Sequence, residues 1–374
     1  MGVPDLVCFS QLRWDFVYQR PHHLLSRAAR TRRVFYVEEP RPTARREAYM
    51  ATRRTPEGVV VAMPHLPRIT LDSAPPAVAR LVGEMLVEHG IRRPVVWYST
   101  PMAEPVGRDI DAACRVYDCM DELAAFKMAS RRIREREARL LASVDLVFTG
   151  GRSIYEAKAA LHPRVHAFPS AVDLDHFAGG RTPGPEPYDL AEIPRPRLCY
   201  VGVVDERLDM DLLSGVAAAR AAWGVVVVGP VAKIPYRSLA QAPNIHYLGK
   251  KPYGSLPEYL GHSDVAIMPF ALTAATRYIS PTKTPEYLAA GLPVVSTSVP
   301  DVLRTYGEPG LVAIADGVDR FVAACDDALG EDAGRAAHRR RAADEVLATM
   351  SWDATWERMD RLITRAVARR AVEH

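Results

Sequence analysis

Several things are scarce in this chain of 374 residues, and each scarcity narrows its class. Cysteine is limited to five residues (Cys8, Cys114, Cys119, Cys199 and Cys325), an odd number with no C-x-x-C pair. That argues against a disulfide framework or a zinc site and reads as reduced packing thiols of a cytoplasmic protein. Apolar runs stay short, and none approaches the roughly 20 residues of a membrane span. The chain opens directly on strand-like PDLVCFS, with no basic region and cleavage site, so no signal peptide is expected. Net charge is only +3, which gives no long-range attraction to nucleic acid. Repeats and low-complexity segments are lacking too. With 48% hydrophobic and 25% charged residues, the composition is that of a globular protein with room for two domains.

What is present is a βα alternation that occurs twice. The strands LVCFS (6–10), VFYVEEP (34–40), VVVAMP (59–64), VVWYST (95–100), RVYDCMDE (115–122) and DLVFTGG (145–151) make the first series. Helices are expected at HHLLSRAAR (22–30) and Arg131–Ser143. The second series has RLCYVGVVDE (197–206), WGVVVVGP (223–230), IHYLGK (245–250), DVAIMPF (264–270) and LPVVSTS (292–298). Short apolar runs separated by helices indicate parallel sheets covered on both faces. Between them, GGRTPGPEPYDLAEIPRPR is rich in Pro and Gly and reads as a linker. The expected organisation is therefore α/β with two Rossmann-like doubly wound domains. The first is 1–178, the linker 179–196, the second 197–350, and an amphipathic helix occupies 351–374. Ligands of such sheets bind beyond the carboxyl ends of the strands, so strand-end residues are the candidates.

In the second domain, YISPTKTPEYLAAGLPVVST (278–297) combines a Ser-Pro-Thr-Lys loop, a helix from Thr284 to Ala290, and a Gly291/Pro293 stop. Hydroxyls, free N–H groups and a cation at a helix start suit a diphosphate, through Ser280, Thr282 and Lys283. Glu286, in the first turns, suits ribose hydroxyls. An ordinary capped helix, with Thr284 as cap and Lys283 solvated, accounts for the same residues.

In the first domain, QLRWDFVYQRPHHLL (11–25) gathers aromatic, basic and imidazole groups after a strand. Trp14 and Tyr18 suit stacking on a sugar, Arg20 suits a phosphate, and His22 or His23 a donated hydrogen bond. Packing of Trp14 beneath the loop is the competing reading. VYDCMDELAAF (116–126) supplies carboxylates at another strand end. Asp121 is the first candidate for general base and Asp118 the second, with capping of the next helix as the alternative for Asp121. Thr100, in YSTPMAEP (98–105), is a candidate acceptor contact. RRIRER (131–136) reads as a solvated helix face, with contact to an anionic membrane as its alternative. Ser170 and Asp173 read as structural. No strand-end carboxylate pair in the second domain suggests a metal.

The segment 278–297 resembles the donor-binding region of GT-B glycosyltransferases, especially bacterial family 4 and related enzymes, in which a Glu precedes a small-residue helix and a G-x-P-V-V strand. YVGVVDERLDMDLL (200–213) resembles the first strand and phosphate loop of that domain. VVVVGP and NIHYLGK resemble the strands flanking the base pocket, and LPEYLGHSDVAIMPF (256–270) a helix leading into a strand that ends at Pro. SWDATWERM (351–359) resembles the start of a last helix that crosses back onto the first domain. WDFVYQRP-x-HLL resembles the opening of bacterial transferases of polysaccharide and teichuronic acid gene sets.

The resemblance implies that Glu286 holds the donor ribose and that Arg207 lies against the diphosphate where the family has Lys. It implies that Gly202 lets the backbone approach the phosphates, that Gly229 flanks the base pocket, and that Thr282 and Lys283 contact the donor. Two positions depart from the pattern. Tyr278 stands where a second Glu is usual, and Val203 where an Arg is usual. S-P-x-K-x-x-E-Y is similar to a subset of surface-polysaccharide transferases that includes the glucuronosyltransferase of xanthan assembly. The implied function is transfer of a sugar from a nucleotide diphosphate sugar, UDP-linked, to a hydroxyl of a glycan, a lipid-linked sugar or a small molecule. It implies no metal or other cofactor, no nucleic-acid partner, and a cytoplasmic site of action that includes the inner face of the membrane. Two rivals share the fold: a nucleotide-sugar 2-epimerase and a binding subunit with a degenerate donor site.

Overall fold

The computed structural model describes residues 2–67, 69–70, 73–127 and 129–372. The chain forms two compact units: one runs to Pro169 and takes in the chain from Trp352, and the other is Ser170–Ser351.

Among the described residues the first unit has nine strands: β1 (Leu6–Phe9), β2 (Val34–Val37), β3 (Arg41–Pro42), β4 (Tyr49–Arg54), β5 (Val60–Leu66), β6 (Val95–Tyr98), β7 (Cys114–Cys119), β8 (Leu146–Thr149) and β9 (Val165–Ala167). Their order is β3-β5-β2-β1-β6-β7-β8-β9, with β4 antiparallel on β5 and every other pairing parallel. β1, β2, β6, β7 and β8 are buried throughout, because helices cover both faces of a parallel sheet. β4 is the exception. It is exposed towards its Thr-Arg-Arg end and has only β5 as a neighbour, so its side chains need not be apolar.

The second unit has β10 (Arg197–Val201), β11 (Gly224–Val228), β12 (Ile245–Gly249), β13 (Val265–Met268), β14 (Val294–Ser296) and β15 (Ala313–Ile314). Its sheet is all parallel in the order β12-β11-β10-β13-β14-β15. In both units the order runs outward one way from the first strand and then restarts on its other side. The reversal falls between β1 and β6 in one sheet and between β10 and β13 in the other, and sheets of this kind bind ligands beside such a reversal, at the carboxyl ends.

The stretch 179–196 is not a linker. It belongs to the second unit, whose core takes in Leu190 and Ile193, 0% and 5% exposed. These residues lie three apart on and just after the helical turn Tyr188–Ala191, so the few apolar side chains available point the same way. Arg181 adds a tie to Asp344 at 3.0 Å and another to the carbonyl of Ala289 at 2.7 Å. The first unit therefore ends at Pro169, not near residue 178.

The final helix, Trp352–Val372, packs on the first unit. It buries Trp352, Trp356, Met359, Ile363 and Ala366, with Trp352 stacked on His23 at 4.6 Å and Trp356 6.3 Å from Trp97. Each large apolar side chain buried is worth roughly 1.5–3 kcal/mol. The pairs that Asp353 makes with Arg27 and Arg30 are exposed, and such pairs contribute about 0–1 kcal/mol. The apolar seam thus holds the helix. All five cysteines are buried and unpaired, and burial pushes their thiols up, to about 12 at Cys114, Cys199 and Cys325. No helix among the described residues is long and apolar enough to cross a membrane.

Candidate functional site

At the carboxyl end of β10 the chain turns through Gly202, whose N–H is bonded to Val228 at 2.8 Å. Gly229, one step beyond β11, has φ +148°, and a Cβ there would lie 1.8 Å from the carbonyl oxygen of Gly202. The two loops can touch only because Gly229 lacks a side chain, whereas a Cβ at Gly202 would meet the Tyr200 hydroxyl at 2.7 Å. Farther along, Arg207 folds back on Asp205, with Nε and Nη2 contacts of 2.9 and 2.7 Å to a carboxylate that is 4% exposed. The same loop crosses to the end of β13. Asp209 N–H donates to Pro269 and Ala271 N–H to Arg207, both at 2.8 Å. The strand ends on either side of the reversal are thereby joined.

The helix Lys283–Ala289 has the expected length and lies one residue earlier than expected at both ends. Pro285 occupies its third position, so only Lys283 and Thr284 bring N–H groups ahead of the first intrahelical bond, from Glu286 to Thr282. Thr282 precedes the helix without a side-chain cap, and Thr284 contacts the sulfur of Met268 at 3.5 Å, so Thr284 is not the cap. Tyr287 pins the helix to β10, its hydroxyl bridging the Val201 N–H (2.7 Å) and carbonyl (3.1 Å). One turn outward, Lys283 Nζ lies 2.7 Å from Glu286 Oε2, with Glu286 4% exposed. Both expected cations are therefore carboxylate-paired. Ser280 turns its carbonyl to the Ser170 hydroxyl at 2.6 Å. Tyr278 closes the turn Thr276–Tyr278, its ring 5.8 Å from the Arg277 guanidinium.

In the first unit the loop after β1 is more closed than its composition suggested. Trp14 is 8% exposed, lies 4.4 Å from the ring of His22 and 5.0 Å from that of Tyr36, and gives its N–H to Glu38 at 2.8 Å. His22 is 2% exposed; its Nδ1 accepts from Gln19 N–H at 3.2 Å and its Nε2 contacts the Trp14 carbonyl at 2.6 Å. Burial lowers its pKa below 6.5, so the ring is neutral near pH 7, with Nε2 as donor. Neither ring nitrogen is open to a substrate, and His22 is a frame for the loop. Tyr18 is half-buried against His22 and His23.

Arg20 and Asp118, expected at a phosphate and at a proton transfer, instead meet each other. Arg20 Nε and Nη2 bond Asp118 at 3.1 and 2.8 Å, and Nη1 bonds the Phe168 carbonyl at 2.8 Å. Exposures of 5% and 1% place the pair inside the unit, so we read both residues as structural. Asp121 is less enclosed than Asp118. It is half-buried beyond β7, and its main-chain carbonyl accepts from Leu123 N–H at 3.0 Å. The next turn has Glu122 as its cap position and no side-chain cap bond, so Asp121 does not cap it. Glu122 pairs with the buried Lys158 at 2.6 Å, and Lys158 also holds Glu137 at 2.9 Å. Burial opposes the Lys158 charge, but Cys119, Glu137 and the bonds from Glu122 and Glu137 raise its pKa overall.

A cavity of about 330 Å³ lies beyond β1, β2 and β6 and is lined by Phe9, Thr100, Glu38, Glu39, Met102 and Arg136 among others. Thr100 accepts from Met102 N–H at 3.2 Å, and Arg136 Nη1 donates to the Met102 carbonyl at 3.0 Å. The three charged residues among them, Glu38, Glu39 and Arg136, were not expected at a site. Glu38 and Glu39 directly follow β2, so the strand-end rule would have found them. Arg136 looked like one more charge on a solvated helix and is 9% exposed. Asp205 was likewise missed; its signal was a carboxylate two residues before a needed cation.

Residues 195–331 match the family described as "Glycosyl transferases group 1". The chain is 26% identical over 239 residues to the putative teichuronic acid biosynthesis glycosyltransferase TuaH of Bacillus subtilis (strain 168), a match covering 58% of this chain and 59% of that protein. The match thus spans about three fifths of the relative's length. Among solved structures, sucrose-phosphate synthase from Thermosynechococcus elongatus aligns with a TM-score of 0.73 at 14% identity, over 98% of this chain and 99% of that one. An alpha,alpha-trehalose-phosphate synthase (UDP-forming) from Burkholderia xenovorans gives 0.73 at 12%, over 96% and 100%. WaaG, a glycosyltransferase involved in lipopolysaccharide biosynthesis, gives 0.67 at 15%, over 96% and 99%. Residues 195–331 are therefore a glycosyl transferases group 1 domain, in a chain with the GT-B fold.

Proposed function

We propose that this protein is a glycosyltransferase that moves a sugar from a UDP-sugar to an acceptor hydroxyl without a metal ion. The observation that carries the reading is the pairing of two cations with two carboxylates, Arg207 with Asp205 and Lys283 with Glu286, beside the bare-backbone contact of Gly202 and Gly229. Glycines at both strand ends leave room for a nucleotide to lie on main chain. Glu286 accepts the ribose hydroxyls and keeps Lys283 at hand for the diphosphate. The similarity to a UDP-forming synthase supports uridine as the base.

In the transfer, the bond from the anomeric carbon to the diphosphate oxygen breaks, and the departing UDP keeps the electron pair. Arg207 and Lys283 stabilise that charge. The acceptor oxygen bonds to the anomeric carbon and loses its proton to a carboxylate, for which Asp121 is the candidate left by the burial of Asp118. The cavity bordered by Thr100, Glu38 and Arg136 receives the acceptor, a glycan, a lipid-linked sugar or a small molecule.

A panel of UDP- and other nucleotide sugars, with release of the nucleotide followed by mass spectrometry, tests the reading. Nucleotide release from a UDP-sugar in the presence of acceptor is the expected result. A folded protein that binds no UDP would sink the claim. Conversion of a free UDP-sugar to its C2 epimer would replace it with the isomerase chemistry.

A further inference from the structure

A groove of about 460 Å³ runs along the first unit between β9 and the final helix, away from the carboxyl-end cavity. β9 is the edge of its sheet, bonded only to β8. Val165, His166 and Phe168 form one wall, and Arg358, Arg361, Leu362 and Arg365 the other. No carboxylate lines it.

The four helix positions follow the spacing i, i+3, i+4 and i+7, so they share one stripe. The apolar seam of Trp356, Met359 and Ile363 faces the unit's core instead. The helix's acidic residues lie off the stripe, where Asp353 holds Arg27 and Arg30 and Asp360 holds Arg32. Little therefore neutralises the stripe. Arg361 has Glu357 only at 4.0 Å, both side chains being more than 60% exposed. Arg365 has no ion pair among the described residues. Arg358 lies over the ring of Phe168, 5.2 Å from its centroid. Like charges at this spacing repel one another in the bare helix, and a bound anion reverses the sign of that interaction.

The floor decides which anion. Phe168 from one wall and Leu362 from the other give it an apolar base, and Tyr155, which also lines it, is 37% exposed. From Arg358 to Arg365 the helix rises about 10 Å, which is more than one phosphate spans. We propose that this groove is a second ligand site, separate from the transfer site, which binds phosphate groups attached to an apolar body. The guanidiniums take the phosphate oxygens, and the aromatic and aliphatic floor takes the body.

Such phosphate reaches the groove either as lipid headgroups in a bilayer or as a soluble ester. The test compares the native chain with an Arg361→Glu/Arg365→Glu variant. Sedimentation with vesicles of phosphatidylcholine alone, or mixed with phosphatidylglycerol, reads the first source. Titration with inorganic pyrophosphate, with the donor site filled by saturating UDP, reads the second. Both residues are exposed, so the thermal midpoint of the variant should match that of the native chain. The expected result is about a tenfold or greater loss of binding to phosphatidylglycerol vesicles in the variant. A tenfold loss confined to pyrophosphate also supports the site and assigns it to a soluble ester. Equal binding of both probes by the native chain and the variant overturns the proposal. So does loss of vesicle binding in Arg131→Glu/Arg134→Glu, on the other basic helix, with the groove variant unaffected.

Discussion

The guanidinium of Arg20 and the carboxylate of Asp118, 98 residues apart in the sequence, are bonded at 2.8 Å in a site where neither is more than 5% exposed. Arg20 begins the helix Arg20–Ala28, Asp118 lies near the end of β7, and the third contact reaches the carbonyl of Phe168 after β9. One ion pair thus ties three crossovers together at the carboxyl side of the sheet. Removing one partner strands a buried charge, which costs about 3–5 kcal/mol. Asp118→Ala should lose that much in urea unfolding, and Arg20→Ala a similar amount. The double variant Arg20→Met/Asp118→Leu should recover much of it. Full stability with lost turnover in Asp118→Ala would instead restore Asp118 as the general base.

That pair also shows where sequence reading stops. The strands were legible because VVWY, LVF and GVVVV are apolar without a break, and Arg131–Ser143 because Ile133, Leu140 and Leu141 recur at helical spacing. The helix Ala74–Glu88 was not read, since Pro75 and Pro76 open it and prolines suggest a loop; in a first turn they cost nothing. β15 has two residues, too few for any pattern. The site residues were found by their position after strands, which topology dictates. Their partners were not, because Asp118 with Arg20, or Arg136 with Met102, meet only after the chain has folded. A charge in a strand-end loop reads the same whether it faces a ligand or a buried counter-ion.

Gly229 gives a sharper expectation. Its φ of +148° lies outside the range that side chains adopt readily, and a Cβ would sit 1.8 Å from the Gly202 oxygen, a main-chain atom that cannot swing aside. Gly249 also has positive φ, +69°, but open space around it. Gly249→Ala should therefore cost only about 1–2 kcal/mol in urea unfolding, the left-handed penalty alone. Gly229→Ala should cost clearly more and abolish UDP binding, since the strand ends must part. Equal costs would mean that the loops yield easily and that the contact does not shape the site.

His22 makes stability depend on pH. Its folded pKa lies below the ordinary 6.5 because burial disfavours the charged ring, and the bonds to Trp14 and Gln19 only partly offset this. The unfolded chain therefore binds the proton more readily. The stability that neutral His22 contributes is complete above pH 6.5 and is lost as pH falls towards the folded value. His166 and His246 are shifted the same way, so the test must be a difference. The fall in urea midpoint between about pH 7.5 and about pH 5.5 should be smaller in His22→Gln than in the native chain. An identical fall would mean that His22 does not carry it.

Glu286 sets two effects of one substitution against each other. Glu286→Ala removes the proposed ribose acceptor, and hydrogen bonds to a charged group are worth about 1.5–3 kcal/mol. It also frees Lys283, now held at 2.7 Å, which strengthens attraction for the diphosphate. The pair is part-buried, Lys283 being 20% and Glu286 6% exposed, and because Lys283 still reaches solvent its release is worth about 1 kcal/mol, less than the ribose bonds. The ribose loss wins, and the affinity for UDP should fall by about tenfold or more. Pyrophosphate has no ribose, so its binding at this site should hold or improve in the same variant. Tyr278→Glu should not improve UDP binding, because it adds a negative charge beside the diphosphate. Calorimetric titration with both ligands reads all three outcomes. Unchanged UDP affinity in Glu286→Ala would move the donor site away from this helix.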